Sequence, residues 1–420
     1  MSDDFVWFVG IDWATARHQA CLVDRDGGGR EQQEIEHTAA GVQGFVDWVR
    51  TRTKGELHRV AVAIESPRGA LVDTLIELGL AVFAINPKQL DRFRDRHTVA
   101  GAKDDRRDAL VLADSLRTDR PAFRRVQVDH PLIIQIRALS RAEDDLQIDL
   151  GRLTNRVREQ VYRLAPGLLT LCTGADEPWF WTLLELVISP TRVTRTRVDR
   201  LLREHRIRRI TADDVLAQLH APALATPPGV VDAVRTHLSL LLPQIRVLAD
   251  QRKRCADHVE SLLHELETEP AAADGESREH RDVTILRSLP GVGRKVLATM
   301  LAEASRPLAD RDYRTLRLWA GTAPVTSWSG KRRTQPFVKM RYACNYRLRQ
   351  AAYHWSRISL QHDPASRAYY QRLRQRGHRH GRALRSVADR LFRILIAMLT
   401  KGTVYDPARA LACEQAAVGA

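Results

Sequence analysis

The chain is poor in cysteine: Cys21, Cys172, Cys255, Cys344 and Cys413 lie scattered through 420 residues with no CxxC pair. That spacing excludes a disulfide framework and a cysteine-ligated zinc site, and it points to reduced thiols in a cytoplasmic protein. Long apolar runs are also missing. The best, Leu391–Leu399, is too short to span a bilayer and contains Arg393, so no membrane segment is expected. The first residues, MSDDFVWF, show no basic leader ahead of an apolar core, and no secretory signal is expected. No internal repeat of useful length is present. The most telling scarcity is acidic. Between Lys331 and Arg393 only Asp363 and Asp389 stand against 17 Lys and Arg, so this segment alone accounts for the net charge of +15 of the whole chain. Positive charge concentrated in this way is the footprint of a polyanion-binding surface, to which Lys339 and Arg341 belong.

What is present is an ordinary globular composition, with 44% hydrophobic and 28% charged residues, in a chain long enough for two or three domains. Strand signals near 5–12, 17–24, 30–37, 58–65 and 80–85 alternate with helix signals near 40–53, 68–79 and 103–118. That order predicts a mixed sheet with helices on both faces, an α/β domain over residues 1–122. Asp12 ends the apolar run Phe5–Ile11 and Glu65 ends Val60–Ile64; both runs read as buried strands. Asp105 and Asp108 open the helical segment KDDRRDALVLADSL, and residues three apart share a helix face. Four carboxylates from two strand ends and one helix can converge on Mg²⁺ or Mn²⁺, which take hard oxygen ligands and leave positions for water and phosphate oxygens. Singly, each acid also reads as a turn or cap residue. Asp104, Asp24 and Asp26 are weaker candidates.

Beyond residue 122 the strand signals stop. Residues 123–280 read as a helical, coiled-coil region with two heptad-like runs. Ile136, Leu139, Leu146, Leu150, Leu153, Val157 and Leu164 form the first; Leu238, Leu241, Ile245, Leu248, Cys255, Val259, Leu262 and Leu266 form the second. The runs can pair within the chain or between copies. Pro243 marks a start or a kink, and ELETEPAAADGESREHRD at 265–282 reads as a linker. A mostly helical domain spans 281–408, followed by a tail over 409–420. It opens with Leu289-Pro290-Gly291-Val292-Gly293, which looks like the turn of a helix-hairpin-helix element. Gly291 and Gly293 would let backbone amides reach a phosphate, with Arg294 and Lys295 beside them. A ligand-free tight turn has the same sequence. Downstream, Thr326, Ser327 and Ser329 precede Gly330 and the cations Lys331, Arg332 and Arg333, a set able to hold an attacked phosphate. Residue types alone do not choose a nucleophile among the three hydroxyls. Tyr342, Tyr346, Tyr353, Trp355, Tyr369 and Tyr370 interleave the basic segment, and stacking on unpaired bases and burial in the core are equally weighted readings.

Taken in order, GIDWA, AIESPRGAL, AKDDRRDALVLAD, LPGVG and AGTAPVTSWSGKRR resemble the DEDD-type transposases of bacterial insertion sequences, the family guided by a bridge RNA. The resemblance covers nearly the whole chain, least so residues 170–235. It implies a RuvC-like N-terminal domain of RNase H-like fold, a coiled-coil segment and a C-terminal transposase domain. It further implies that Asp12, Glu65, Asp105 and Asp108 are the metal ligands and Ser329 the nucleophile, in a site completed between protomers of a dimer to tetramer. The implied partners are donor and target DNA and a guide RNA, at the bacterial nucleoid. Asp104 departs from the pattern, where a small polar residue is expected. Two other readings compete: a Mg²⁺-dependent nuclease or junction resolvase that activates water, and a non-catalytic nucleic-acid-binding protein on an RNase H-like scaffold.

Overall fold

The computed structural model describes residues 4–65, 69–85, 90–93, 104–126, 129–189, 193–222, 224, 226–268, 278–327 and 337–419. The chain divides into two compact units, Met1–Asp129 and His130–Ala420.

The first unit is built on a six-stranded sheet. β1 (Trp7–Asp12), β2 (Arg17–Asp24) and β3 (Glu31–Glu36) form an antiparallel meander; β4 (Val60–Ile64) and β5 (Ala81–Ala84) run parallel to β1; the two-residue β6 (Arg124–Arg125) closes the order β3-β2-β1-β4-β5-β6. This is the mixed sheet of an RNase H-like fold. β4 is buried along its whole length, as a VAVAI run covered on both faces must be. β3, EQQEIE, buries only Ile35 and suits an edge, where a row of acids and amides discourages pairing with another chain. The β2–β3 turn is held by Asp24, whose Oδ1 accepts from the amides of Asp26 at 3.0 Å and Gly28 at 2.8 Å. Asp24 therefore serves the turn.

Alternation along the strands separates two cores. Val9, Ile11, Val62 and Ile64 face α1 (Ala39–Arg52) and α2 (Ala70–Glu77). Phe8, Cys21, Ala61 and Ala63 face α3 (Asp105–Thr118). Gly10 decides how closely α3 approaches: a Cβ there would lie 2.0 Å from the Ala109 carbonyl oxygen and 2.5 Å from the Ala113 amide nitrogen. Only glycine lets the helix backbone rest on the strand.

The second unit is helical around two cores. α4 (Pro131–Leu164) and α8 (Pro228–Thr268) run antiparallel: Leu132 and Ile136 meet Val259, Leu262 and Leu266, while Leu150, Leu153 and Val157 meet Leu238, Leu241 and Ile245. The two heptad-like runs thus pair within the chain, and Pro243 lies inside α8. Three short helices, α5 (Pro178–Ile188), α6 (Arg195–Glu204) and α7 (Ala212–Leu219), close the second core around Trp179 and Phe180. α9 (Arg278–Ser288), α10 (Arg294–Glu303), α11 (Ser305–Ala309), α12 (Tyr313–Trp319), α13 (Tyr346–His362), α14 (Pro364–Gln375), α15 (His380–Lys401) and α16 (Pro407–Gly419) make up the remainder, with a small hairpin of β7 (Val325–Ser327) and β8 (Phe337–Lys339). The first core joins one end of the α4/α8 pair to residues 283–399, so the two helical stretches expected as separate domains share apolar packing. The expected linker at 265–282 is corrected at both ends, since α8 continues to Thr268 and α9 starts at Arg278.

Candidate active site

In β1 and β4 the parallel register pairs Ile11 with Ile64, so Asp12 and Glu65 are the next neighbours across the pair. Asp12, the last residue of β1 and two on from Gly10, lies on the α3 side of the sheet, and Glu65 is the first residue beyond β4. α3 runs against β1. Near its end, Arg117 Nη1 donates to the Arg25 carbonyl at 3.3 Å, beside Asp24, the partner of Trp7 at the start of β1. At its beginning the Arg106 carbonyl accepts from Gln32 Nε2 at 3.5 Å, and Gln32 pairs with Cys21 opposite Gly10. The first turn of α3 thus stands at the C-terminal end of β1 and β4, with Asp12 and Glu65.

Within that turn the three acids are distinct. Asp104 is the N-cap, its side chain accepting from the Arg106 amide at 3.1 Å, which accounts for an acid where a small polar residue was expected. Asp108 is 6% exposed on the sheet side, whereas Asp105 is exposed to solvent. Asp12 and Glu65 are half-buried. Asp12, Glu65, Asp105 and Asp108 are thus all carried toward this end of the sheet, and carboxylate oxygens are the hard ligands a divalent cation takes. Among the described residues no three His, Cys, Asp or Glu side chains are close enough to hold a single ion.

Behind this end of the sheet lies a group that sequence inspection missed. His18, 1% exposed, accepts at Nδ1 from the Ala14 amide at 3.1 Å and meets His37 Nδ1 through Nε2 at 2.9 Å. The Ala14 bond fixes the His18 proton on Nε2, so His18 donates to His37. Burial, with His37 adding to it, holds His18 below the usual imidazole value. Trp13 stacks on His18 at 6.2 Å, so the pair steadies the turn that follows Asp12. Alternation along β2, which puts His18 on the buried face with Ala20 and Leu22 and opposite Ile35, is the sequence signal that points to it.

In the second unit, Ser329, Lys331, Arg332 and Arg333 lie outside the described residues; Thr326 and Ser327 belong to β7, opposite Val338 and Phe337 of β8. The Leu289–Gly293 turn has a clear packing role. Gly291 has φ +83°, and a Cβ there would come within 2.8 Å of the Ser359 amide nitrogen. Trp355 is fully buried beneath the turn and donates from Nε1 to the Pro290 carbonyl at 3.0 Å. Gly293 caps α10 with no side-chain bond and has open space around it. The cations beside it are engaged by α4. Arg294 forms a two-pronged pair with the buried Glu143 at 2.7 Å on each arm, and Lys295 meets Asp144 at 2.8 Å. Lys339 is exposed, and Arg341 donates to the Ala343 carbonyl at 2.9 Å. The aromatics divide: Tyr342, Tyr346 and Tyr353 are exposed, while Trp355 is core and Tyr369 and Tyr370 pack partly against it.

Comparisons with known proteins agree with this architecture. Residues 9–166 match the family model of a DEDD-type transposase of the IS110 group, and residues 283–371 match the model described as "Transposase IS116/IS110/IS902 family". The chain is 43% identical over 240 residues to "Putative transposase y4uE" of Sinorhizobium fredii, covering 56% of this chain and 66% of that protein. It is 31% identical over 424 residues to "Mini-circle putative transposase for IS117" of Streptomyces coelicolor, covering 98% of each. It is also 28% identical to an "uncharacterized 44.8 kDa protein" of insertion element IS116 from Streptomyces clavuligerus, over 96% of this chain and 97% of that one. No helix among the described residues is long and apolar enough to cross a membrane. With both halves matched in order and a relative aligned end to end, the chain belongs to the IS110/IS116 family of transposases, enzymes that process DNA.

Proposed function

We propose that this transposase cuts and rejoins DNA by transesterification through Ser329, with sequence choice delegated to a guide RNA. The observation that supports the reading is the Ile11–Ile64 register, after which Asp12 and Glu65 follow directly, at the end of the sheet where the first turn of α3 buries Asp108. Asp12, Glu65, Asp105 and Asp108 would hold Mg²⁺ or Mn²⁺. Such an ion, when bound, polarises a phosphate oxygen and eases deprotonation of a nearby hydroxyl.

The remaining roles fall to the chain itself. The Ser329 hydroxyl attacks phosphorus; its Oγ–P bond forms as the bond to one strand oxygen breaks, the serine proton is released, and the departing oxygen leaves as a hydroxyl. The phosphoserine conserves the energy of the phosphodiester, so a hydroxyl from another strand end reverses the step without an external energy source. Lys331, Arg332 and Arg333 hold the phosphate against the charge that builds on its oxygens. The open amide end of α10 at Gly293, with Gly291 shaping the turn, receives backbone phosphate, and Lys339 and Arg341 extend the basic surface. Base pairing by RNA leaves the protein to read strand shape and phosphate, which fits a basic helical surface in place of a groove-reading motif. The carboxylate half and the serine half of the site come from different protomers of a dimer or tetramer working at the nucleoid.

The test is covalent trapping. Native protein incubated with guide RNA, cognate DNA and Mg²⁺ is expected to yield a protein–DNA adduct that survives denaturation and maps to Ser329. Ser329→Ala should abolish adduct and cleavage together. Cleavage that persists in Ser329→Ala without any adduct in the native protein would instead establish a water-activating nuclease. Asp12→Ala and Glu65→Ala are each expected to lower cleavage by about 10³-fold or more while nucleic-acid binding is retained.

A further inference from the structure

α14, α15 and α16, with β8 and the end of α12, surround a cavity of about 1280 Å³ in the second unit. Its lining combines an apolar floor, including Ala323, Met340, Ile394 and Met398, with a set of arginines. Part of that set is neutralised inside the chain. Arg317 forms a two-pronged pair with Asp389 at 2.9 and 3.0 Å, and Arg372 and Arg390 both bind the buried carboxylate of Glu414. Arg382 and Arg385 differ: one helical turn apart on α15, both line the cavity, and among the described residues neither has a carboxylate partner. Burial, and then the neighbouring charge of Arg382, pulls Arg385 below the usual guanidinium value. Two guanidinium groups on one helix face are suited to forked binding of phosphate oxygens.

A phosphate ion alone would leave most of this volume and the whole apolar floor unused. The cavity already holds one anionic group, the Glu414 carboxylate, on its arginines. Pro324 and Lys339, which bracket in sequence the segment with Ser329, both line it. We propose that the cavity receives an unpaired nucleotide of a polynucleotide strand, its base against the apolar floor and its phosphate on Arg382 and Arg385. The proposal rests on the reading of this unit as a strand-handling one and adds a nucleotide subsite to it. Extracting a base from a stack is costly and needs a pocket that repays the cost by contact and charge, which this lining supplies.

The experiment uses the full-length Ser329→Ala protein, which binds but forms no adduct under the proposed mechanism. Fluorescence anisotropy compares a short, fully paired duplex with the same duplex carrying one bulged 2-aminopurine, in DNA and in RNA versions. The bulged form of one of them is expected to bind about tenfold more tightly, with 2-aminopurine emission rising as the base unstacks, and the version preferred identifies the source strand. Adding Arg382→Ala and Arg385→Ala should erase the preference while affinity for the paired duplex falls much less; the paired Lys substitutions, checked by thermal melting, should keep charge and restore part of it. Equal binding of paired and bulged duplexes in both chemistries, or a preference that survives the double alanine variant, overturns the proposal. Because the serine hydroxyl is absent throughout, such a failure removes the pocket and leaves the adduct test standing.

Discussion

The acidic end of the N-terminal sheet and the basic helices of the C-terminal unit are both charged surfaces, yet their charges are fixed by different means. Asp12, Glu65 and Asp108 are placed by backbone: two strand ends in parallel register and the first turn of a helix lying on glycine. The arginines of the second unit are placed by other side chains. Arg294 answers Glu143, Arg317 answers Asp389, and Arg372 and Arg390 share Glu414. Local pattern therefore locates the acids well, whereas a tally of Lys and Arg overstates the charge available to a polyanion. Distant carboxylates have already claimed part of it.

The sharpest way to break the backbone half of that contrast is Gly10→Ala. The added methyl carbon would overlap the Ala109 carbonyl, a rigid helix atom with no rotamer to yield, so α3 must shift off β1. We expect a loss of about 3 kcal/mol or more from the N-terminal unit, together with loss of cleavage as Asp108 leaves the sheet end. Gly44→Ala in α1 is the control. Nothing lies within 4 Å of a Cβ at that position, and helix propensity predicts a gain of about 0.5–1 kcal/mol. Thermal unfolding monitored on both variants reads the difference; equal stability would show that α3 tolerates a larger spacing.

The side-chain half is tested by Glu143→Gln. Glu143 is 7% exposed and Arg294 26% exposed, so the pair is partly shielded from water, and its loss should cost about 2–3 kcal/mol in the second unit. The same carboxylate carries a pH signature. Burial alone would raise Glu143 and Glu303, but hydrogen bonds from Arg294 on the first, and from Arg141 and Asn345 on the second, outweigh it and hold both below the usual carboxylate range. A depressed folded value means the unfolded chain binds protons first. The stabilisation is therefore complete above the unfolded carboxyl value of about 4.3 and disappears as pH falls from there through the folded values. Melting temperature against pH should drop on the acid side, and Glu143→Gln should flatten that drop. An unchanged slope would assign the acid sensitivity elsewhere.

How much was legible follows the same division. Apolar pattern is enough for β1, β2, β4 and β5 and for α1, α2 and α3, because each buries one or two faces; β3, which buries only Ile35, is legible as the third of three early strands joined by turns. β6, two arginines with no apolar pattern, left no trace in the sequence. Asp104 was legible only as a misfit acid, since its capping bond depends on where α3 starts. The two ends of the 265–282 segment differ from the linker reading because acidic and alanine-rich composition hides the helix ends there: Leu266 completes the seam of α8 in the core, and α9 starts at Arg278. Residue type alone weighs stacking and burial equally for the aromatic residues of the basic segment, and the phase of α13 separates Trp355 from Tyr346 and Tyr353. Leu348, Ala352, Trp355 and Ser359 are buried at spacings of three and four, which turns Tyr346 and Tyr353 outward.

Those outward tyrosines give the smallest and most discriminating effect. Arg349 lies over the Tyr346 ring at 5.1 Å, and Tyr353 sits beside His354, which burial and then Arg357 and Lys295 keep below the usual imidazole value. Their exposed rings can offer a face to a base but carry no charge of their own. Tyr353→Ala should thus weaken binding of single-stranded DNA or RNA by about fivefold, leave duplex affinity nearly unchanged, and leave the salt dependence of both unaltered, because no phosphate contact is lost. Arg357→Ala, one turn further along the same exposed face, should instead lower the salt slope. If both substitutions change the slope alike, α13 binds by charge alone, and its exposed tyrosines take no part in stacking.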